Sequence, residues 1–258
     1  MNVLDYLTPA VSGVVVALSS LFPISPEGYS VLKSLEALTP ACGDYIVSAY
    51  LGVTFALLFN FRNEIGSGSQ RVLRGIPDPD MRYLLYSTVF TLLIGYPLLT
   101  NNGIPLSPRT ADLINAVTGA LILSLMGRPG RKTEWGEEEK TLVGSIVSGS
   151  LQGGALIGAL SRSGLTFLGL LVTGIPVKKA LKLSFLTAPT YFVLKLAFVG
   201  WQLKLPVPLL FTAFLTAFLT GMVTIKALFR AVDVLGERGF LILFGSLPVI
   251  VYLMEVIL

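Results

Sequence analysis

The chain has 258 residues, of which 53% are hydrophobic and only 13% are charged, and its mean hydropathy is +0.76. Soluble domains carry about 25% charged residues, so this composition excludes an ordinary soluble protein and predicts one integral membrane domain. The single cysteine, Cys42, and the absence of histidine exclude a disulfide framework, a cysteine-rich metal site and histidine-based catalysis.

Eight apolar segments follow one another along the chain. A membrane-spanning helix needs roughly 20 apolar residues, and six segments meet this length, at about 43–61, 83–102, 109–127, 183–200, 206–225 and 239–258. The other two segments, at about 11–35 and 142–175, are interrupted by residues 22–28 and 161–164. Because broken backbone is tolerated at membrane depth only where protein or a cavity satisfies it, we predict that both are re-entrant helical hairpins.

The order of these segments, a hairpin and three spans followed by a second hairpin and three spans, indicates two repeats, at about 1–127 and 141–258. Two pairs of residues align at one common offset, Ser25 with Ser161 and Gly28 with Gly164. Three spans per repeat is an odd number, so the second repeat would be inverted relative to the first. The predicted fold class is therefore an all-α integral membrane protein with an inverted-topology repeat, which places a binding site near the bilayer midplane.

The basic residues predict the orientation of the chain. Fourteen lysines and arginines lie in four loops that would share one side of the membrane, 62–82, 128–140, 176–182 and 226–238. Only Lys33, Arg109 and Lys204 would lie on the other side, so we expect a multi-pass protein of the cell membrane with cytoplasmic basic loops and both termini outside. This distribution explains the formal charge of +4 without a nucleic-acid partner. Lys195 lies inside a predicted span, where it would either snorkel or pair.

Arg162 is the charge that the bilayer tolerates least. It lies in the second interruption between Ser161 and Ser163, with Gly164 and Thr166 after it. Hydroxyl groups, a glycine that exposes backbone N–H groups and the start of a helix together form an anion cradle, and a planar, permanently charged guanidinium favours phosphate as the ligand. We call these five residues the Arg162 cradle. The alternative is a structural arginine bonded to backbone carbonyls of the opposite hairpin.

The first hairpin supplies the other candidate residues, Ser20, Ser25, Glu27 and Gly28. Glu27 is the one acidic residue that we place in or near its apolar zone. Two roles stay open for Glu27, a general base or water-positioning acid, and a plain charge partner that neutralises Arg162. Ser20 and Ser25 would donate to phosphate oxygens or back-bond to helix carbonyls. Gly28, which the repeat aligns with a glycine of the cradle, is included among the substrate-binding candidates.

The motif around Arg162 resembles that of a known family. The second interruption reads Gly158-Ala159-Leu160-Ser161-Arg162-Ser163-Gly164, with Thr166 after it and Gln152 upstream. This is similar to the Pro-Gly-x-Ser-Arg-Ser-Gly hairpin of the undecaprenyl-diphosphate phosphatases of the bacitracin-resistance type, and the resemblance extends over nearly the whole chain. It implies an inverted-repeat fold, a polyprenyl diphosphate ligand, membrane lipids as surroundings, and a divalent cation, Mg²⁺ or Ca²⁺, that bridges the diphosphate.

The first hairpin departs from the motif of that family. When Pro23 is aligned with the motif proline, Val16 and Ser20 occupy the positions of the family's two glutamates. Pro26 occupies the position of the second serine, Glu27 that of the threonine and Tyr29 that of the histidine. The resemblance therefore keeps the phosphate-binding half of the site and loses most of the acid–base half. Either Glu27 supplies the missing acid from a neighbouring position, or the chain binds a lipid phosphate without hydrolysing it.

Three functions follow from these observations. The first is a membrane phosphatase that converts an undecaprenyl-type diphosphate to the monophosphate and inorganic phosphate for lipid-carrier recycling. In this hypothesis the Arg162 cradle holds the diphosphate and stabilises its developing charge, Ser25 assists, and Glu27 acts as the base. The second is a polyprenyl-phosphate transporter or flippase that uses the same cradle without chemistry. The third is a structural subunit of an envelope-assembly complex.

Overall fold

The computed structural model describes residues 3–38, 41–100, 106–127, 136–199 and 205–257. Within these residues the chain is helical and contains no strand. The α-helices are α1 Leu7–Leu21, α2 Tyr29–Leu38, α3 Ile46–Asn60, α4 Arg62–Leu73, α5 Pro79–Thr100, α6 Pro108–Ser124, α7 Glu137–Gly154, α8 Arg162–Val172, α9 Val177–Val199 and α10 Val207–Ile257. Short 3-10 helices cover Val3–Tyr6, Cys42–Tyr45, Leu125–Gly127 and Ala155–Ile157. Lys204 and residues 128–135 of the second basic loop lie outside the described residues.

Five helical segments are long and apolar enough to cross a membrane, which confirms the all-α membrane class. They are Cys42–Asn60, Pro79–Thr100, Pro108–Gly127, Val177–Phe198 and Val207–Ile257. The last of them contains two of the predicted spans. Its 51 residues would extend about 75 Å, more than twice the roughly 30 Å thickness of the hydrocarbon core.

The predicted loop 226–238 is wrong, because α10 runs through it as helix. Residues of high helix propensity, among them Lys226 and Arg230, continue the helix beyond the apolar segment. The interruption is limited to Gly236, whose φ of 69° and ψ of 171° are open to glycine at little steric cost. Gly236 thus divides α10 into two segments, each long enough to be a separate span. The loop 62–82 likewise contains a helix, α4.

Both interrupted segments are present as pairs of helices, none of which is among the segments long and apolar enough to cross a membrane. Helix α1 has 15 residues and ends at Leu21, and α2 begins at Tyr29. In the second pair a 3-10 turn follows α7, and α8 has 11 residues. The sequence placed the second interruption at 161–164, whereas the structure ends it at Ser161, so Arg162 already belongs to α8. We refer to residues 22–28 as the first break and residues 155–161 as the second break.

The helices of the two halves pack reciprocally. Helices α1 and α3 pack on the first segment of α10, which is the second span of the other half. Helices α7 and α9 pack on α5, which is again the second span of the opposite half. The third spans, α6 and the second segment of α10, pack on each other. A two-fold relation between the repeats would produce this pattern; the inverted symmetry itself stays a prediction.

The ion pairs of the structure bring the basic loops together, as the sequence predicts. Three ion pairs join the described parts of the basic loops to one another at one end, Arg82–Glu138, Lys178–Asp233 and Lys182–Asp80, and a fourth, Arg71–Asp78, lies within the loop 62–82. At the other end Arg109 contacts Glu255 and the ring of Tyr29. The basic loops therefore share one side of the protein.

Candidate functional site

The start of α8 is held in place by hydrogen bonds within the protein. The Oγ of Ser161 caps the helix by accepting the N–H of Gly164 at 3.2 Å. The N–H of Ser161 donates to Oδ1 of Asn115 on α6 at 2.7 Å, and the Nδ2 of Asn115 donates to the carbonyl of Ala159 at 3.1 Å. Sequence analysis missed Asn115, although a buried amide in an apolar span is a signal that could have indicated it.

The start of α8 contacts the first break through the motif residues. The Ser163 hydroxyl donates to the carbonyl of Phe22. At Gly164, a Cβ atom would lie 3.1 Å from the Cβ of Pro23, which is a tight contact. Ser163 and Gly164 therefore join the second interrupted pair to the first break, and in this structure the side chain of Ser163 is directed to protein.

Thr166 and Gly28 are also engaged by neighbouring helices. The Oγ1 of Thr166 donates to the carbonyl of Arg162 at 2.8 Å and shares a 2.6 Å hydrogen bond with Oγ of Ser184 on α9. A Cβ at Gly28 would lie 2.3 Å from Oδ1 of Asp112, so this glycine permits a close approach of α6 to the first break. These two predicted substrate-binding residues make packing contacts in the described structure.

Arg162 is buried and only partly bonded. It is 4% exposed, its Nη1 donates to the carbonyl of Ser184 at 2.8 Å, and its guanidinium carbon lies 5.5 Å from the ring centre of Phe192. Its Nε and Nη2 are buried without a hydrogen-bond partner. These two nitrogens lie on one edge of the planar guanidinium and form the fork that binds two oxygens of a phosphate or carboxylate. Among the described residues no acidic side chain pairs with this group.

Arg162 lines a small cavity between the two breaks. The cavity is lined by Ser20, Ile24, Ser25, Pro26, Tyr50, Leu160, Arg162, Tyr191 and Phe192. The Oγ of Ser20 is a further buried polar atom without a partner. The free space of about 10 Å³ is roughly what one water molecule requires, so the walls must separate before a phosphate can enter.

Glu27 lies beside this cavity and pairs with Lys195. Its Oε2 accepts a hydrogen bond from the Lys195 ammonium at 2.7 Å, and its Oε1 accepts one from the Tyr50 hydroxyl at 2.8 Å. The interpretation of Glu27 as the charge partner of Arg162 is therefore wrong, and Lys195, 5% exposed, pairs rather than snorkels. The Lys195 ammonium also lies 3.3 Å from the Tyr191 hydroxyl. Sequence analysis missed both tyrosines, whose signal was a hydroxyl at the centre of an apolar span.

Comparison with known proteins places this arrangement in a family. The family model described as bacitracin resistance protein BacA matches residues 9–249, which contain both breaks. The chain belongs to this family. The match confirms the resemblance that the motif around Arg162 indicated.

Three relatives named undecaprenyl-diphosphatase illustrate the similarity. The relative from Korarchaeum cryptofilum is 27% identical over 257 residues, which cover 93% of this chain and 94% of the relative. The relative from Methanococcoides burtonii is 27% identical over 258 residues, which cover 92% and 95%. The relative from Carboxydothermus hydrogenoformans is 30% identical over 177 residues, which cover 67% and 65%. The first two matches extend over almost the full length of both proteins.

The residues around the cavity do not fit a resident divalent cation. Mg²⁺ and Ca²⁺ bind through carboxylates and other oxygen ligands, whereas the nearest carboxylate, Glu27, already accepts hydrogen bonds from Lys195 and Tyr50. In the part of the chain that the structure describes, no group of three or more His, Cys, Asp or Glu residues is placed to hold a metal ion. The charged group that lines the cavity, Arg162, is itself a cation.

Proposed function

We propose that this chain is a membrane phosphatase that hydrolyses an undecaprenyl-type polyprenyl diphosphate to the monophosphate and inorganic phosphate. The relatives that match almost its full length are named undecaprenyl-diphosphatase. The observation that carries the proposal is the buried fork of Arg162, whose Nε and Nη2 have no partner, in a residue that lines a cavity together with the hydroxyl-bearing Ser20 and Ser25. A buried cation with free donors calls for an anionic ligand, and a diphosphate supplies one.

Three groups would bind the terminal phosphate. The Arg162 fork would hold two of its oxygens, and the Ser20 hydroxyl, which lacks a partner, would donate to a third. The Ser25 hydroxyl accepts the N–H of Glu27 at 3.3 Å and keeps its own proton to donate. As the bridging P–O bond breaks, these donors would stabilise the charge that moves onto the phosphate oxygens.

Glu27 would act as the base through Tyr50. The Tyr50 side chain lines the cavity, and its hydroxyl donates to Oε1 of Glu27. A water that attacks the terminal phosphorus would give its proton to the Tyr50 oxygen while the Tyr50 proton moves to Glu27. The new bond joins the water oxygen to phosphorus, and the polyprenyl monophosphate leaves. Lys195 would keep the carboxylate oriented before each turnover.

The proposed setting is the cell membrane. Five long apolar helices and the family match support a multi-pass membrane protein. We propose in addition that the basic loops are cytoplasmic, because they gather at one end of the molecule, and that the two halves are inverted repeats, because their helices pack reciprocally.

Release of inorganic phosphate from undecaprenyl diphosphate by the detergent-purified protein tests the function. The wild type should release phosphate, and Glu27→Gln should abolish the release while the protein still elutes as a folded species. Arg82→Gln, which removes an exposed arginine from the basic end, should leave the release unchanged. Absence of release by the wild type, with and without Mg²⁺ or Ca²⁺, would refute hydrolysis. Movement of the lipid headgroup across liposome membranes without phosphate release would instead favour a transporter. The names of the relatives do not favour that alternative.

A further inference from the structure

The charges around the cavity differ from those of a site that holds a metal. Arg162 is 4% exposed and Lys195 is 5% exposed, so both cations are buried. Glu27 is the carboxylate that pairs with Lys195, and its two oxygens accept hydrogen bonds from Lys195 and Tyr50. With the lysine, arginine and glutamate all ionised, this group of three carries one net positive charge before any ligand binds.

A divalent cation at this site would meet two obstacles. It would need carboxylate oxygens as ligands, and one oxygen of Glu27 already accepts a hydrogen bond from the Lys195 ammonium at 2.7 Å. It would also be repelled by the net positive charge of this group, and repulsion between charges is screened less in a buried site than in water.

Lys195 lies close enough to the cavity for its charge to act on a bound phosphate. Its ammonium is 3.3 Å from the hydroxyl of Tyr191, which lines the cavity, and 5.6 Å from the ring centres of Tyr50 and Tyr191. Both aromatic side chains line the cavity together with Arg162. Arg162 therefore offers direct hydrogen bonds to phosphate, and Lys195 offers a positive charge one side chain further away.

We propose that this chain binds the diphosphate of its substrate without a divalent cation, and that the buried charges of Arg162 and Lys195 supply the neutralisation that a bridging metal would supply. The proposal rests on the proposed function for the identity of the ligand. Arg162 binds the phosphate oxygens, whereas Lys195 is a positioning residue that acts across Tyr50 and Tyr191 and through Glu27.

Binding of farnesyl diphosphate, a water-soluble prenyl diphosphate, measures the proposal independently of turnover. Isothermal titration of the detergent-purified protein should give the same dissociation constant in EDTA and in excess Mg²⁺ or Ca²⁺, to within about a factor of three. Equilibrium dialysis of the ligand-free protein against radioactive calcium should show no bound cation. A dissociation constant that improves tenfold or more with either cation would overturn the proposal.

Variants at Lys195 test the assignment of the second charge. Lys195→Met frees the Glu27 carboxylate, so farnesyl diphosphate binding in EDTA should weaken about tenfold and recover when Mg²⁺ is added. The double variant Glu27→Gln/Lys195→Met removes one positive and one negative charge, so its binding should weaken less than that of Lys195→Met and should not change with Mg²⁺, because no free carboxylate remains. Neither member of the pair is then left as an uncompensated charge that could prevent folding. Lys178→Met, which removes a lysine from an exposed pair with Asp233, is the matched control and should bind as the wild type does. Equal, metal-independent binding by the wild type and both Lys195 variants would refute the role of Lys195.

The same samples separate failure of this inference from failure of the proposed function. Hydrolysis of undecaprenyl diphosphate only in the presence of Mg²⁺ or Ca²⁺ would refute the metal-free site and leave the phosphatase function intact. Metal-independent binding of farnesyl diphosphate with no hydrolysis under any condition would refute the phosphatase function and support the two-cation site.

Discussion

Replacement of Arg162 by glutamine removes the two donors on which the phosphate site depends. In the wild type Nε and Nη2 are buried without partners, and Nη1 is bonded to the Ser184 carbonyl. Each hydrogen bond from a charged donor contributes about 1.5–3 kcal/mol, so the two bonds that a phosphate would gain are together about 3–6 kcal/mol. At about 1.4 kcal/mol per factor of ten, Arg162→Gln should weaken prenyl diphosphate binding by roughly 10²- to 10⁴-fold.

Isothermal titration with farnesyl diphosphate measures this loss, and thermal unfolding of the same samples shows whether the variant is folded. Farnesyl diphosphate at a concentration of about 100 times its dissociation constant should stabilise the wild type by roughly 2.7 kcal/mol and raise its Tm, and the increase should disappear in Arg162→Gln. Arg82→Gln serves as the control because its guanidinium is half exposed at the basic end. A folded Arg162→Gln protein whose affinity falls by less than about tenfold would refute the assignment of Arg162 as the phosphate ligand.

Three further substitutions test the surroundings of the site. Tyr50→Phe removes the proposed proton path and should lower kcat by at least about 10²-fold in a phosphate-release assay, while the affinity for farnesyl diphosphate stays unchanged; an unchanged kcat would exclude the path. Asn115→Ala removes two buried hydrogen bonds at the start of α8 and should cost about 1–3 kcal/mol of unfolding free energy or more, which a decrease in Tm would show. Gly28→Ala places a Cβ against Asp112 and should lower Tm, whereas Gly66→Ala, with open space around it, should not; equal Tm values for the two variants would contradict the close packing at the first break.

The helices were predictable where hydrophobicity alone decides the structure. Apolar length identified the spans, and short apolar pieces beside proline and glycine identified both interrupted segments. The error at 226–238 arose because a run of charged residues can be either a loop or helix that extends beyond the bilayer. High helix propensity, and the absence of a helix-breaking residue other than Gly236, favour a helix in this region. Hydropathy alone contains neither kind of information.

The sequence was sufficient to predict the importance of Arg162, but it was less informative about the roles of the residues around it. Arg162 was identified by a physical conflict, a charge in an apolar segment, and the structure shows the same conflict as unbonded nitrogens. The roles of Ser161 and Thr166 were not predictable from their neighbourhood in sequence. A hydroxyl at the start of a helix has the same spacing whether it caps the helix, bonds to a neighbouring helix or binds a ligand, and here the first two uses are seen.

The partner of Glu27 illustrates a different limit. Lys195 is 168 residues away along the chain, and the two meet because α9 passes the first break. No local pattern encodes that meeting, although each residue by itself was an anomaly in an apolar region. An ionisable residue in a predicted span is costly unless it is paired, so two such residues of opposite sign in one membrane domain were reasonable candidates for each other. Arg162 was the nearer candidate only because the repeat argument brought the two breaks together.

The charges of the site balance only when an anion is bound. Glu27 compensates Lys195, which leaves Arg162 with a carbonyl and an aromatic ring as its contacts. A buried guanidinium in that state has an unfavourable energy in the ligand-free protein, because its desolvation is not offset by a counter-charge. The rest of the fold must therefore stabilise it: α8 is capped by Ser161, anchored by Asn115 and packed against the first break. An anion that accepts hydrogen bonds from both free nitrogens removes this unfavourable energy. The unpaired guanidinium lowers the stability of the ligand-free protein, and the recovery of that free energy on binding is part of the affinity for phosphate.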